Sequence, residues 1–158
     1  MNIEALSDIS KLFLPLIAII GLYIAWQQFV ANREKIRLDL YDRRFKIYDT
    51  IIRTMYEVSY GAEDLATEVY SSFFTACDEA QFLLPQRICE KVDIVRKLVR
   101  EGKTKKIRLR TYTNHETESE KVESLQSRII DIESEIEDMH TEITSAFKEV
   151  LKFEKFNK

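Results

Sequence analysis

Glu137 and His140 stand three residues apart on a helically patterned stretch, the Glu-x-x-His spacing with which di-iron helix bundles hold metal. The complete site needs two such pairs and two further glutamates on facing helices. The only other histidine, His115, has Tyr112 three residues before it, so the spacing predicts a lone exposed histidine and no metal. Cys77 and Cys89 lack close spacing and neighbouring histidines, which argues against zinc. Both lie in apolar stretches, where free thiols behave as small core residues. Gly21, Gly61 and Gly102 are isolated, so neither a phosphate-cradling loop nor a dinucleotide fingerprint can be assembled. No Ser, Thr or Cys occupies a recognisable nucleophile elbow. The expectation is a chain with no cofactor and no enzymatic activity.

What remains is charge. The formal net charge of −3 is too small to imply a polyanionic partner, but it hides local blocks of each sign. Lys103, Lys105, Lys106, Arg108 and Arg110 make residues 102–117, the longest connection read from the sequence, densely positive. These five are the candidate anion-binding residues, for a nucleotide, RNA or a phospholipid. Ile107, Leu109 and Tyr112 punctuate the charges and leave room for a short hairpin or strand. The preferred expectation is a solvated loop that answers the acidic last helix, because one aromatic is too little for a base-stacking platform. A second basic run, Arg33, Lys35, Arg37, Arg43, Arg44 and Lys46, is a candidate for lipid head-group contacts, each charge near a membrane surface contributing on the order of 1 kcal/mol.

That second run follows residues 12–31, which hold no charged side chain. At ~1.5 Å per residue they cross a hydrocarbon core of ~30 Å. A cleaved signal peptide is disfavoured, since a basic leading region is missing and Phe29 or Tyr23 would occupy the −3 position of any site ending at Ala31 or Ala25. Pro15 and Gly21 are tolerated in lipid-embedded helices, and Tyr23 and Trp26 suit the interfacial aromatic belt. Only Lys11 precedes the span whereas the six cations follow it, so positive-inside bias predicts an extracytoplasmic tail at 1–11 and a cytoplasmic domain at 32–158.

No breaker separates the span from Leu38, Tyr41, Phe45, Tyr48, Ile52 and Met55, which alternate at steps of three and four. One helix is therefore predicted to run from bilayer to cytoplasm, broadened by Ile47 and Ile51 and stopped at Gly61. Leu65, Val69, Phe73, Ala76, Ala80 and Leu83 mark a second helix, with Glu63 and Asp64 in its first turn and an end at Leu84 before Pro85. Ile88, Val92, Val95 and Val99 mark a third, closing at Arg100 before Gly102 and the shortest of the soluble helices. The strongest pattern is the last, a heptad repeat from Val122 through Ile129, Ile136 and Ile143 to Phe153. In a parallel homodimer Arg128 would face Glu133 favourably, but Glu149 would face Glu154 and Glu142 would face Phe147, so no charge code for self-pairing is visible. With Ile130, Phe147, Leu151 and Phe156 adding apolar surface outside the seam, an antiparallel intrachain bundle is preferred and a homo-oligomer through this helix is the alternative.

Tyr23-Ile-Ala-Trp-Gln-Gln-Phe followed by Leu38-Asp-Leu-Tyr-Asp-Arg-Arg-Phe-Lys-Ile-Tyr resembles segments of a group of small bacterial membrane proteins to which no activity is assigned. Ala76-Cys-Asp-Glu-Ala-Gln-Phe-Leu-Leu-Pro resembles their second recurrent segment, and the likeness over residues 147–156 is looser. The resemblance implies one N-terminal span, a helical cytoplasmic domain and a bacterial inner-membrane address. It also draws attention to Asp39, Asp42, Arg43 and Arg44, as a helix-surface charge network or, less favoured, an interaction site near the membrane.

The expected architecture is all-α: an N-terminal transmembrane helix continuing into an antiparallel bundle of about four helices with a long heptad-patterned C-terminal helix. The leading function is a membrane-tethered scaffold or interaction module, with the bilayer and a protein partner or second copy as partners. The alternative is a ligand-gated oligomeric membrane effector, as in anti-phage defence, sensing an anion or nucleotide through residues 103–110.

Overall fold

The computed structural model describes residues 3–60, 66–113 and 119–152. They form four helices, α1 (Ile3–Ser59), α2 (Thr67–Leu83), α3 (Gln86–Thr113) and α4 (Ser119–Leu151), with no strand among the described residues. The chain divides into two compact units, Met1–Leu40 and Tyr41–Lys158. α1 is unbroken, as the absence of a breaker after Gly21 requires, and it accommodates Pro15. Over residues 15–31 its apolar side chains are uncovered: Ile17, Leu22, Trp26 and Phe29 are all exposed. This N-terminal helix is long and apolar enough to cross a membrane.

The second unit is a helical bundle with one core. α1 contributes Ile47, Ile51, Met55 and Val58; α2 adds Phe73, Ala76, Cys77 and Ala80. α3 brings Ile88, Val92, Val95 and Val99, and α4 brings Ile132, Ile136, Ile143 and Phe147. The core face of α1 is thus turned from the expected one. Ile47 and Ile51, read as an adjoining face, are fully buried, whereas Phe45 is 47% exposed. The reason is that α1 serves two neighbours at once: Arg44 reaches the end of α2, and Tyr48 meets Phe147 of α4 with ring centroids 5.2 Å apart. The enclosed residues are thus Ile47 and Ile51 of the adjoining face together with Met55 of the stripe itself.

α2 ends where Pro85 requires. Leu84 is extended (φ −118°, ψ 154°), and its N–H still donates to the Ala80 carbonyl at 3.0 Å. Its first turn carries Glu68; Gly61, Glu63, Asp64 and Leu65, assigned from sequence to the α1 stop and the α2 start, lie outside the described residues.

The third helix corrects the sequence reading. It does not close at Arg100 but runs 28 residues to Thr113, against 17 in α2, so residues 103–110 are neither loop, hairpin nor strand. Gly102 was read as a terminator, yet it sits buried inside α3, where a built Cβ would lie 3.5 Å from Ile132 Cγ2. One interior glycine costs a helix ~1 kcal/mol, which the surrounding Lys, Arg and Leu formers and the packing on α4 offset.

α3 and α4 pair antiparallel. Arg87 with Glu149, Lys91 with Glu142, and Lys106 with Glu133 (2.9 Å) follow one another in opposite chain order. Glu101 and Arg128 (3.0 Å) add a fourth crossing. The α4 seam, with Ile129, Ile132, Ile136 and Ile143 buried, is therefore spent within the chain. Phe147, expected outside that seam, is fully buried, because α1 as well as α3 covers α4 at that level. Ile130, read from sequence as further apolar surface for the bundle to cover, is instead 65% exposed; Phe153 and Phe156 lie outside the described residues.

Candidate functional site

The basic segment on α3 changes meaning once it is helical. Successive residues turn by about 100°, so Lys103, Lys106 and Arg110 share one side while Lys105 and Arg108 point away. The charges that look dense in sequence are dispersed in space. Lys106 pairs with the half-buried Glu133, and Lys103 Nζ sits 3.9 Å from the centre of the Tyr70 ring. Arg110 lies in the last turn of α3, where a cation complements the helix dipole. Lys105 is half-buried and Arg108 exposed. Sequence reasoning missed that this ladder of cations extends backward. Arg96 and Arg100 both stand over the Phe74 ring, at 5.5 and 5.4 Å, and Arg96 also pairs with Asp78 at 2.8 Å. The signal was there as Tyr70 and Phe74, one turn apart on α2, facing cations at positions 96, 100 and 103.

The basic run of α1 is likewise divided. Arg33, Lys35, Arg43 and Lys46 are exposed. Arg37 lies 3.8 Å from Glu34. Arg44 is half-buried, and its Nε donates to the Leu83 carbonyl at 2.9 Å. That carbonyl belongs to the last turn of α2, where acceptors lack intrahelical donors and Pro85 can supply none. Arg44 therefore clamps α2, a role with no local sequence signal because the partners are 39 residues apart. Asp39, Asp42 and Arg43 are exposed on α1.

Metal and thiol chemistry find no assembled site. Glu137 is exposed, but His140 is half-buried rather than exposed, lying at the edge of the α4 seam beside Met139. No group of three or more metal-ligating side chains occurs among the described residues, and His115 lies outside them. Cys77 and Cys89 are free and buried. Burial pushes the Cys77 thiol up to about 12 and raises that of Cys89, whose Sγ donates to the carbonyls of Ala80 (3.3 Å) and Leu84 (3.5 Å). Both are held as neutral thiols near neutral pH, and the thiolate is the reactive form.

Two of the depressions on the bundle are lined wholly by described residues. One, of about 210 Å³, lies between α1 and α2 and is lined by Lys46, Thr50, Ser71, Ser72, Thr75 and Glu79. The other, of about 410 Å³, lies over the α3 and α4 pairing at Arg87, Lys91, Thr141, Glu142 and Glu149, whose charges already pair with each other. Both are open to solvent rather than enclosed as a small-molecule site usually is. No protein-family model matches the chain, and neither curated proteins nor solved structures give a significant match. The class defined by fold and surface is thus an all-helical protein with one span-competent helix and a four-helix arrangement.

Proposed function

We propose that this chain is a single-span protein of the bacterial inner membrane, with its N-terminus outside, that holds a helical interaction module against the cytoplasmic face. The observation that carries the reading is the uncovered apolar surface of α1, where Leu16, Ile17, Ile20, Leu22, Ile24 and Phe29 have no protein neighbour to exclude water. In lipid that surface costs nothing; in water it drives aggregation. The orientation rests on the cations that follow residue 31, of which Arg33, Lys35, Arg43 and Lys46 are exposed and suited to anionic head groups. The module acts by binding a protein, since its charges chiefly join its own helices and its depressions are shallow. A gated effector sensing an anion at residues 103–110 is the weaker reading, because Lys103 and Lys106 are engaged by Tyr70 and Glu133.

The test is membrane retention and complementation. Full-length protein with a C-terminal fluorescent fusion that matures only in the cytoplasm is expected to glow and to stay in the membrane pellet through alkaline extraction. Release by alkali, or a dark fusion at normal abundance, overturns the anchor or its orientation. A chain lacking residues 12–31 that relieves a deletion phenotype as well as the full chain overturns the need for tethering.

A further inference from the structure

Three cations of α3 face α2 along one stripe. Arg96, Arg100 and Lys103 are spaced four and three residues apart, which sets them within ~60° of arc on the helix. On α2, Tyr70, Phe74 and Asp78 follow one another at steps of four, one above the next. The two stripes meet in opposite chain order: Lys103 over the Tyr70 ring at 3.9 Å, Arg100 over the Phe74 ring at 5.4 Å, and Arg96 on Asp78 at 2.8 Å. Arg96 also stands 5.5 Å from the centre of the Phe74 ring, so two guanidinium groups share that ring.

The rungs of this ladder differ in charge. Asp78 neutralises Arg96, whereas Arg100 and Lys103 meet rings instead of carboxylates and have no ion pair among the described residues. A ring attracts a cation through its quadrupole but cancels none of its charge. Two uncompensated positive charges therefore stand three residues apart, where like charges repel. On the α4 side of α3 the arrangement is the opposite, since Arg87, Lys91 and Lys106 each meet a glutamate of α4.

The rings also fix what the two cations can do. A ring covers the face of a guanidinium and leaves the N–H groups around its edge, while holding the group in one orientation so that less freedom is lost on binding. Arg100 is exposed and Lys103 half-buried, so solvent reaches both. A planar fork beside a compact ammonium matches a phosphate group, which carries the charge to answer both cations and enough oxygens to accept from each. A carboxylate has one charge and answers one of them.

We propose that Arg100 and Lys103 form a binding site for a phosphate group, with Arg96 at its edge. Of residues 103–110 only Lys103 takes part: Lys105 and Arg108 point away and Lys106 is held by Glu133. The site lies wholly on α2 and α3 and does not depend on the membrane anchor.

The test is isothermal titration calorimetry of full-length protein in a non-ionic detergent, with ionic strength fixed by sodium chloride. One arm uses inorganic phosphate and the other adenosine diphosphate. Saturable binding at one site per chain is expected; equal affinity in the two arms assigns the site to the phosphate group alone, and tighter binding of the nucleotide assigns it to a phosphate carried on a larger ligand. Arg100→Gln and Lys103→Gln are each expected to raise the dissociation constant about tenfold or more, the loss of one charge-assisted hydrogen bond. Arg100→Lys, which keeps the charge and loses the fork, is expected to fall between and carries the test if Arg100→Gln does not fold by circular dichroism. Lys97→Gln removes the same charge from an exposed position off the stripe and should leave binding unchanged. No saturable binding in either arm, or a loss in Lys97→Gln as large as in the Arg100 variants, overturns the site.

Discussion

Gly102→Ala decides between two readings of α3 by the sign of its effect. If Gly102 ended a helix in the left-handed conformation, alanine there would be strained and would cost ~1 kcal/mol. In the structure Gly102 lies inside α3, and the added Cβ meets Ile132 Cγ2 at 3.5 Å, an ordinary van der Waals contact. No clash offsets the gain in helix propensity, which is ~1 kcal/mol for glycine to alanine in a helix interior. A net stabilisation of ~0.5–1 kcal/mol follows, or a rise of about 4 °C in the thermal midpoint for a unit of this size. Valine sharpens the test. Its two γ carbons reach about 1.5 Å beyond Cβ, into the space Ile132 fills, so Gly102→Val is expected to lose ~1–3 kcal/mol through overpacking. The assay is thermal unfolding of full-length protein in detergent, followed by helical circular dichroism. A lowered midpoint for the alanine variant, or an unchanged one for valine, would refute the continuous, closely packed α3.

The remaining expectations concern α4 and the core. Phe147→Ala is expected to cost ~3–5 kcal/mol, read as a lowered unfolding midpoint, because the ring is fully buried against Tyr48; a loss below ~1 kcal/mol would contradict that packing. Hydrogen bonds from Arg128 at 3.0 and 3.2 Å hold the Glu101 carboxyl below the usual carboxylate range. A depressed carboxylate contributes its stability above the unfolded value of ~4.3 and loses it as the pH falls further, so wild type should lose more stability than Glu101→Gln between pH 6 and pH 3; parallel curves would sink the coupling. With Cys77 raised to about 12 by burial, and Cys89 also raised, maleimide at pH 7 should modify neither thiol in native protein and both after unfolding, as counted by mass spectrometry; rapid native labelling would show that the core opens.

Strong periodicity made most of the fold legible. The apolar stretch at 12–31, the end of α2 at Leu84 and the α4 repeat all carry local signals, and α4 was rightly assigned to an intrachain antiparallel partner because its flanks offer no code for a copy of itself. Two features escaped. Residues 103–113 looked like a loop because glycine opens the segment and charge fills it, yet Lys, Arg and Leu are good helix formers, and Ile132 supplies the contact that a sequence window does not contain. On α1 the burial of Ile47, Ile51 and Met55 was legible but the exposure of Leu38 and Phe45 was not, because a single-helix pattern assumes one partner, while Arg44 and Tyr48 show this helix packed between two.

Charge was the least legible part of the surface, for a physical reason. A count of Lys and Arg treats each as available, whereas a folded chain first uses cations to satisfy its own carbonyls, carboxylates and rings. Arg44 goes to Leu83, Lys106 to Glu133, Lys103 to Tyr70 and Arg37 to Glu34. Apolar exposure is harder to absorb, because no rotamer change hides an aromatic ring that the backbone directs outward. The residual apolar faces are therefore the better guides to what this protein touches. Two lie on α1: the side chains of residues 15–31, on which the proposed anchor rests, and Phe45 and Tyr56, which the bundle leaves exposed.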